Sequence, residues 1–413
     1  MKKIIAILLS LCLVFALAAC GNGDTTTGDN NSAPPAGGGN TPSGGGSTTT
    51  SPSASVPTDT NPDVEDFVPG EISINKDDLP HFKIAFGYGD WESVLGTQFM
   101  KAIEYLCDAF NCEPVFYGAG TGEEGVANVE SLLAAGDIDG IISVGWDTAR
   151  MDVANRHGVP VVTACQFPTV REISGITAYD GFLGGVVDDE VWAGYHAMKA
   201  LYDSGSRNVT WSGLTTGYNQ GHDDRTTGAK QFVEGQSGIN LLADSYTVGR
   251  WHEDIPTFVA AFSEMDGMCF TALSDAVYTV MAAEGIDDGS VKVAGPDVAS
   301  MTGEFFNKGI QVWSCGGQYA TAMISWAILY NHLIDGTVIL SNPSEPLSRN
   351  YLEITSYEDF VQYEEIINSS TPAYTALEIA ELIHFFNSDV TYGDYVALGQ
   401  NYSLDDITAR HSS

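Results

Sequence analysis

The sequence predicts an α/β protein made of two doubly wound, Rossmann-like lobes. Three observations predict it. Short apolar runs alternate with segments of helical period from about Leu79 to the end of the chain. Runs such as "IDGIISVG" and "GVPVVTAC" are apolar without interruption, as strands covered on both faces of a parallel sheet must be. About 330 residues follow the N-terminal region, enough for two domains of ordinary size.

Lys2 and Lys3 precede an apolar stretch, Ile4 to Ala19, with the layout of a secretory signal and too little length for a comfortable spanning helix. From Gly21 to about Pro62 the chain is Gly, Ser, Thr, Pro, Asn and Asp, which cannot bury enough surface to offset ordering entropy. The expectation is a flexible tether of about 35–40 Å mean reach for roughly forty-five residues. "HFKIAFGYG" then begins the strands. A helix near 97–110 follows, with Phe99, Ile103, Leu106 and Phe110 on one face. "EPVFYGAG", a helix near 124–136, "IDGIISVG", a helix near 147–157 and "GVPVVTAC" complete the first set.

The second set starts with a long helix expected from about 184 to 203. It continues through "RNVTWSG", "NLLADSYTV", "GMCFTAL", "VKVAGPD" and "GIQVWSCG". Helices are expected near 224–236, 255–265, 275–285, 299–308 and 318–334 between and after them. "NYLEITSYEDFVQY" reads as a strand and a short helix. The acidic, aromatic remainder from Thr371 carries one helical stretch, "TALEIAELIHFF", and is expected to pack on the second lobe.

The chain holds 17 basic and 54 acidic residues, a formal net charge of −37. No nucleic-acid partner is expected, because phosphate binding needs a basic face. Cys107, Cys112, Cys165, Cys269 and Cys315 are dispersed, odd in number and without CxxC spacing, so neither a zinc cage nor a disulfide framework is indicated. A bridge between Cys107 and Cys112 stays open.

Leu17-Ala18-Ala19-Cys20 resembles the lipobox of bacterial lipoproteins. The resemblance implies a signal over residues 1–19, acylation of Cys20, and an anchor and tether over 20–78. Multiple acyl chains anchor stably, since each buried methylene contributes about 0.8 kcal/mol. The folded part, roughly 81–365, resembles the type I periplasmic solute-binding proteins of ABC importers, especially the ribose, galactose and simple-sugar branch. The segments that carry this are "ANVESLLAAGDIDGIISVGWDTA", "NRHGVPVVTACQFP", "ITAYDGFLGGVVDDEVWAGYHAM", "DDRTTGAKQF", "GRWHEDI" and "VKVAGPD", in family order. The resemblance implies two lobes joined by a three-strand hinge and closing on one ligand. Crossings would fall near Tyr179–Gly181, Ser314–Gly317 and Pro343–Arg349. The lobes would be 79–180 plus 316–342 and 181–315 plus 343–365, with an extension over 366–413.

A sugar offers C–H faces to aromatic rings and hydroxyls to carboxylates, amides and guanidinium groups. Ligands of doubly wound sheets sit beyond the carboxyl ends of the strands. Those loops supply Asp90, Trp91 and Glu92, then Trp146 and Asp147, then Gln166, with Tyr179 and Asp180 at the expected hinge. By resemblance, the second lobe adds Arg225, Trp251, Asp275 and Asp297. Five have a plainer explanation: Asp180 and Asp275 as helix caps, Trp146 as packing, Arg225 as a surface helix residue, Asp297 as a turn former. Trp251 is flanked by the polar His252, Glu253 and Asp254. The chain also departs from the family, with Cys165-Gln166 in place of an Asp-Arg pair and Ser274 in place of Asn.

The implied function is capture of a small polar ligand, a sugar, by an exported, lipid-anchored monomer on the outer face of the cytoplasmic membrane, with delivery to ABC permease subunits. Neither cofactor nor metal is expected. The alternatives are a ligand-sensing receptor serving a chemoreceptor or sensor kinase, or binding of a nucleoside or autoinducer. An enzyme is not expected, as neither G-x-S-x-G nor HExxH occurs. "GHDD" (221–224) reads as a helix start rather than a metal site.

Overall fold

Two six-stranded sheets, each with helices on both faces, make up the computed structural model, which describes residues 72–169 and 171–411. The signal, Cys20 and most of the expected tether lie outside the described residues. Ile72 and Ile74 already pack against the core, so the folded chain begins before Leu79.

The first sheet has the order β2-β1-β3-β4-β5-β11 and is parallel throughout. Its strands are β1 (Phe82–Tyr88), β2 (Cys112–Gly118), β3 (Gly140–Ser143), β4 (Val161–Ala164), β5 (Phe182–Asp188) and β11 (Leu347–Arg349). The helices α1 (Val94–Ala109), α2 (Gly122–Ala134), α3 (Thr148–His157) and the single turn α4 (Ile173–Ile176) alternate with them. β3 and β4 are buried at every position, as their unbroken apolar sequences require.

The second sheet repeats the pattern as β7-β6-β8-β9-β10-β12, with β12 antiparallel to β10. It comprises β6 (Asn208–Leu214), β7 (Asn240–Thr247), β8 (Gly267–Phe270), β9 (Lys292–Ala294), β10 (Gln311–Gly316) and β12 (Leu352–Ile354). Its helices are α5 (Glu190–Asp203), α6 (Gln220–Gly235), α7 (Asp254–Ala261), α8 (Asp275–Ala283) and α9 (Thr302–Asn307). α10 (Ala320–Asp335) follows β10 in sequence but packs on β3, β4 and β5 of the first sheet.

Residues 182–188, where a helix was expected from about 184, form strand β5 of the first sheet. "FLGGVVD" is an apolar run ending in two β-branched valines, and it is buried almost throughout. Only Asp189 separates it from α5, where the Asp189 carboxylate accepts the Trp192 N–H at 2.8 Å as the helix cap. The chain therefore leaves the first lobe after Asp188, not near Tyr179–Gly181. The second crossing follows Gly316 and the third runs from Arg349 to Leu352.

The C-terminal region packs chiefly on the first lobe, where packing on the second was expected. α10 is buried on all sides from Ala320 to Asn331, so the face turned from the sheet needs its own cover. α12 (Ala376–Glu381) and α13 (Tyr392–Gln400) supply it. The buried Asn331 amide donates to the Leu382 carbonyl and the Tyr395 hydroxyl, both at 2.8 Å. The Asn350 N–H meets the Gly399 carbonyl at 2.9 Å, and the Tyr402 hydroxyl donates to the Gly317 carbonyl at 2.9 Å. Only α14 (Leu404–His411) turns to the second lobe, against α11 (Tyr357–Asn368). The tail thus covers the side of the hinge where the second and third crossings run.

Candidate functional site

A cavity of about 340 Å3 opens between the lobes. The first lobe lines it with loops after the carboxyl ends of β3, β4 and β5: Trp146, then Cys165 to Thr169 with Glu172 and Ile173, then Val187 and Asp188. Facing these are Glu190 and, after β6, Tyr218, Asn219, Gln220, Gly221 and Asp224, with Ser344 and Pro346 closing one side. The position is the one a doubly wound sheet dictates. An open groove of about 620 Å3 runs beside it over the N-terminal ends of α2 and α3, with Glu172 common to both.

Two buried ion pairs tie the three crossings together beneath this cavity. Asp188 Oδ1 lies 2.6 Å from Arg349 Nη2, both side chains being fully buried, and the same Nη2 donates to the Gly317 carbonyl at 2.7 Å. The Arg349 guanidinium also stacks 4.1 Å over the Tyr402 ring. Burial pushes the Asp188 carboxyl up to about 7 against the pull of Arg349. On the second-lobe side, Glu190 accepts from Arg225 Nε at 2.5 Å, from Nη2 at 3.2 Å and from the Tyr351 hydroxyl at 2.8 Å. Arg225 also donates to the Thr271 carbonyl at 2.8 Å and lies 3.6 Å from Asp297. Close packing of α5 on α6 makes this possible: a Cβ on Gly194 would stand 1.8 Å from the Arg225 carbonyl oxygen, and one on Gly228 1.9 Å from that of Val191.

Further polar groups stand at or beside the cavity. The Trp146 side chain is 3% exposed and its indole N–H has no partner. Asp224, at half burial, accepts the Gln220 amide at 2.8 Å, and burial raises its carboxyl to about 6. Burial lowers the neighbouring His222 to about 3, and its Nδ1 lies 2.8 Å from the Thr271 hydroxyl. Backbone strain collects at the same strand ends: Cys165 after β4 has φ 62° and Asp297 after β9 has φ 74°, conformations costing on the order of 1–3 kcal/mol each.

The expected site residues divide accordingly. Trp146 and Gln166 line the cavity. Asp147 borders the adjoining groove, but its carboxylate caps α3, accepting the Arg150 N–H at 2.9 Å and its Nε at 2.7 Å. Arg225 and Asp297 stand behind Glu190, and Arg225 is buried in the hinge network, not on a helix surface.

The loop after β1 does not reach the cavity lining. Asp90 and Glu92 are exposed there, and Trp91 packs edge-on against Phe86, Tyr88 and Phe116 with its indole N–H on the Tyr117 carbonyl. Tyr179 and Asp180 precede β5, at the opposite end of the first sheet from the cleft, and the Tyr179 hydroxyl bonds Asp152. They were expected at the hinge because β5 was read as helix. Asp275 opens α8, where its carboxylate accepts from Ser300 Oγ at 2.8 Å and Met301 N–H at 3.0 Å. Trp251 starts a short 3-10 turn, and its side chain lies outside what the structure describes. Asp188, Glu190, Asp224, Asn219 and Glu172 were missed. "VVDDE", acids directly after an apolar run, was the available signal for the first two.

Two parallel-sheet lobes, three crossings and a ligand-sized gap at the strand ends define the type I periplasmic-binding-protein fold. Comparison with solved structures agrees. A galactofuranose-binding protein superposes with a TM-score of 0.58 at 15% identity, over 70% of this chain and 99% of the other. A Bacillus halodurans ABC transporter solute-binding protein with bound myo-inositol gives 0.56 at 18% identity, over 70% and 98%. An Actinobacillus succinogenes periplasmic solute-binding protein with bound D-allose gives 0.58 at 15% identity, over 68% and 99%. At such identities the likeness is one of fold. No family model matches the chain, and no curated protein does.

Proposed function

We propose that the protein is an extracytoplasmic solute-binding protein that captures a sugar or similar small polyhydroxylated compound between its lobes and delivers it to an ABC permease. The observation that carries this is the cavity itself. It is lined from both lobes by an indole, a phenol, three carboxamides and four carboxylates, at about 340 Å3. That volume equals roughly eleven waters at about 30 Å3 each, room for a monosaccharide or cyclitol together with several waters. Aromatic faces beside carboxylates and amides match alternating C–H and hydroxyl surfaces. Of the proteins of the same fold named above, one is a galactofuranose-binding protein and two hold myo-inositol and D-allose, which supports the class. The proposal includes export, acylation at Cys20 and a tether that holds the lobes above the membrane, as the N-terminal sequence implies.

Capture needs no chemical step. Closing the lobes removes the ligand from water, and its hydroxyls exchange solvent for fixed donors and acceptors that two ion pairs hold in place. A thermal-shift screen of sugars, cyclitols and nucleosides tests the reading. Ligand at a hundred times its Kd stabilises by about 2.7 kcal/mol, a rise of about 4 °C for a fold of this size. Absence of any shift from sugars or cyclitols, with a clear one from a nucleoside, would transfer the cleft to another ligand class.

A further inference from the structure

The lining of the cleft is one-sided in charge. Glu172, Asp188, Glu190 and Asp224 reach it, and no Lys, Arg or His does. Two of these carboxylates are matched from behind, Asp188 by Arg349 at 2.6 Å and Glu190 by Arg225 at 2.5 Å. The other two are not. Asp224 accepts the Gln220 amide, Glu172 accepts the Thr169 hydroxyl at 3.3 Å, and neither has a cationic partner among the described residues. They come from opposite lobes, Glu172 from the segment after β4 and Asp224 from the N-terminal half of α6, one residue past its first turn. Asp189 and Asp223 add negative charge beside Asp224, Asp297 is matched by Arg225 at 3.6 Å, and Arg150 stacks 5.2 Å over the Trp146 ring without entering the lining.

A neutral guest would leave both carboxylates in a drying cleft without a counter-charge, and an anionic guest would add repulsion. An ammonium group offers three donors and a full positive charge. It also suits the aromatic side chains of the same lining, Trp146, Phe167 and Tyr218. A divalent metal ion is the other possible counter-charge, but no group of three His, Cys, Asp or Glu among the described residues is arranged to hold one.

We propose that the ligand is a polyhydroxylated amine, an amino sugar or aminocyclitol, whose ammonium lies between Glu172 and Asp224. Its hydroxyls then meet the unpartnered Trp146 N–H and the amides of Gln166 and Asn219. This inference rests on the sugar-binding reading and narrows it. The elevated carboxyl of Asp224 accords with an acid waiting for a counter-ion.

The test is calorimetric titration at pH 7.5 with matched probes: glucosamine and galactosamine against glucose and galactose, inosamine against myo-inositol, and the N-acetylated amino sugars and galacturonate as charge controls. At least one amine is expected to bind tenfold or more tightly than its neutral match, with the advantage lost on acetylation. Asp224→Asn and Glu172→Gln are each expected to cut that preference at least threefold while the melting midpoint holds, Glu172→Gln serving where Asp224→Asn fails to fold. Neutral probes binding as well as the amines would overturn the inference and leave the sugar reading intact. Binding by none of the amines or their neutral matches would overturn both.

Discussion

Replacing Arg349 by methionine removes the cation paired with Asp188 and leaves that carboxylate buried at the base of the cleft. Methionine roughly keeps the volume, so the loss is chiefly electrostatic. Breaking a buried pair from one side costs about 3–5 kcal/mol. For about 340 ordered residues the unfolding entropy is about 0.7 kcal/mol/K, so the midpoint should fall by about 4–7 °C.

Asp188 also makes the effect pH-dependent. Its folded carboxyl already sits at about 7, above the ordinary 3.8, because burial outweighs Arg349. A folded value above the unfolded one means stability is fully present below 3.8 and is lost as pH rises through the folded value. Without Arg349 that value moves higher, so the loss continues beyond pH 7 and the gap to the wild type widens from pH 6 to pH 8. The assay is equilibrium urea unfolding of the wild type, Arg349→Met, Asp188→Asn and the double variant. The double variant should recover at least half of the Arg349→Met loss, because no unpaired charge remains. Additive single losses, or an Arg349→Met loss under 1 kcal/mol, would refute the hinge-pair reasoning.

Three further outcomes are expected. Trp146→Phe keeps the ring packing but removes the unpartnered N–H, so affinity for the ligand found by thermal shift should fall about three- to tenfold, one hydrogen bond's worth, with an unchanged midpoint. Tyr402→Ala removes a ring buried at 1% exposure that covers Arg349 and bonds the Gly317 carbonyl, and should cost about 3–5 kcal/mol in urea unfolding. Cys20→Ser should move the protein from the membrane fraction to the soluble fraction, as immunoblotting of fractionated cells would show.

The strands were legible because their sequences admit little else: "GIIS" and "VVTA" are buried at every position, and each apolar run maps onto a strand of a parallel sheet. The reading failed where two elements abut. In "FLGGVVDDEVWAGYHAM" a strand and a helix are separated by a single residue, and their apolar positions merge into one helical period. That merger shifted the first crossing, sent Tyr179 and Asp180 to the wrong end of the sheet, and hid Asp188 and Glu190. Asp224 shows a different limit. It is the second acid of "GHDD", one residue past the first turn of α6, and it faces the cavity, where helix periodicity cannot report what lies opposite. The tail was misplaced for a related reason: its partner α10, buried from Ala320 to Asn331, belongs to the lobe that its neighbours in sequence do not.

The proposed function requires one small polar guest between the lobes. Titration of the compound most effective in thermal shift, against the wild type and against Gln166→Trp, tests it most directly, since an indole at this exposed lining position fills the cavity. One site per chain in the wild type, and none in a variant that melts normally, is the predicted result. Undiminished binding by the filled variant would contradict it.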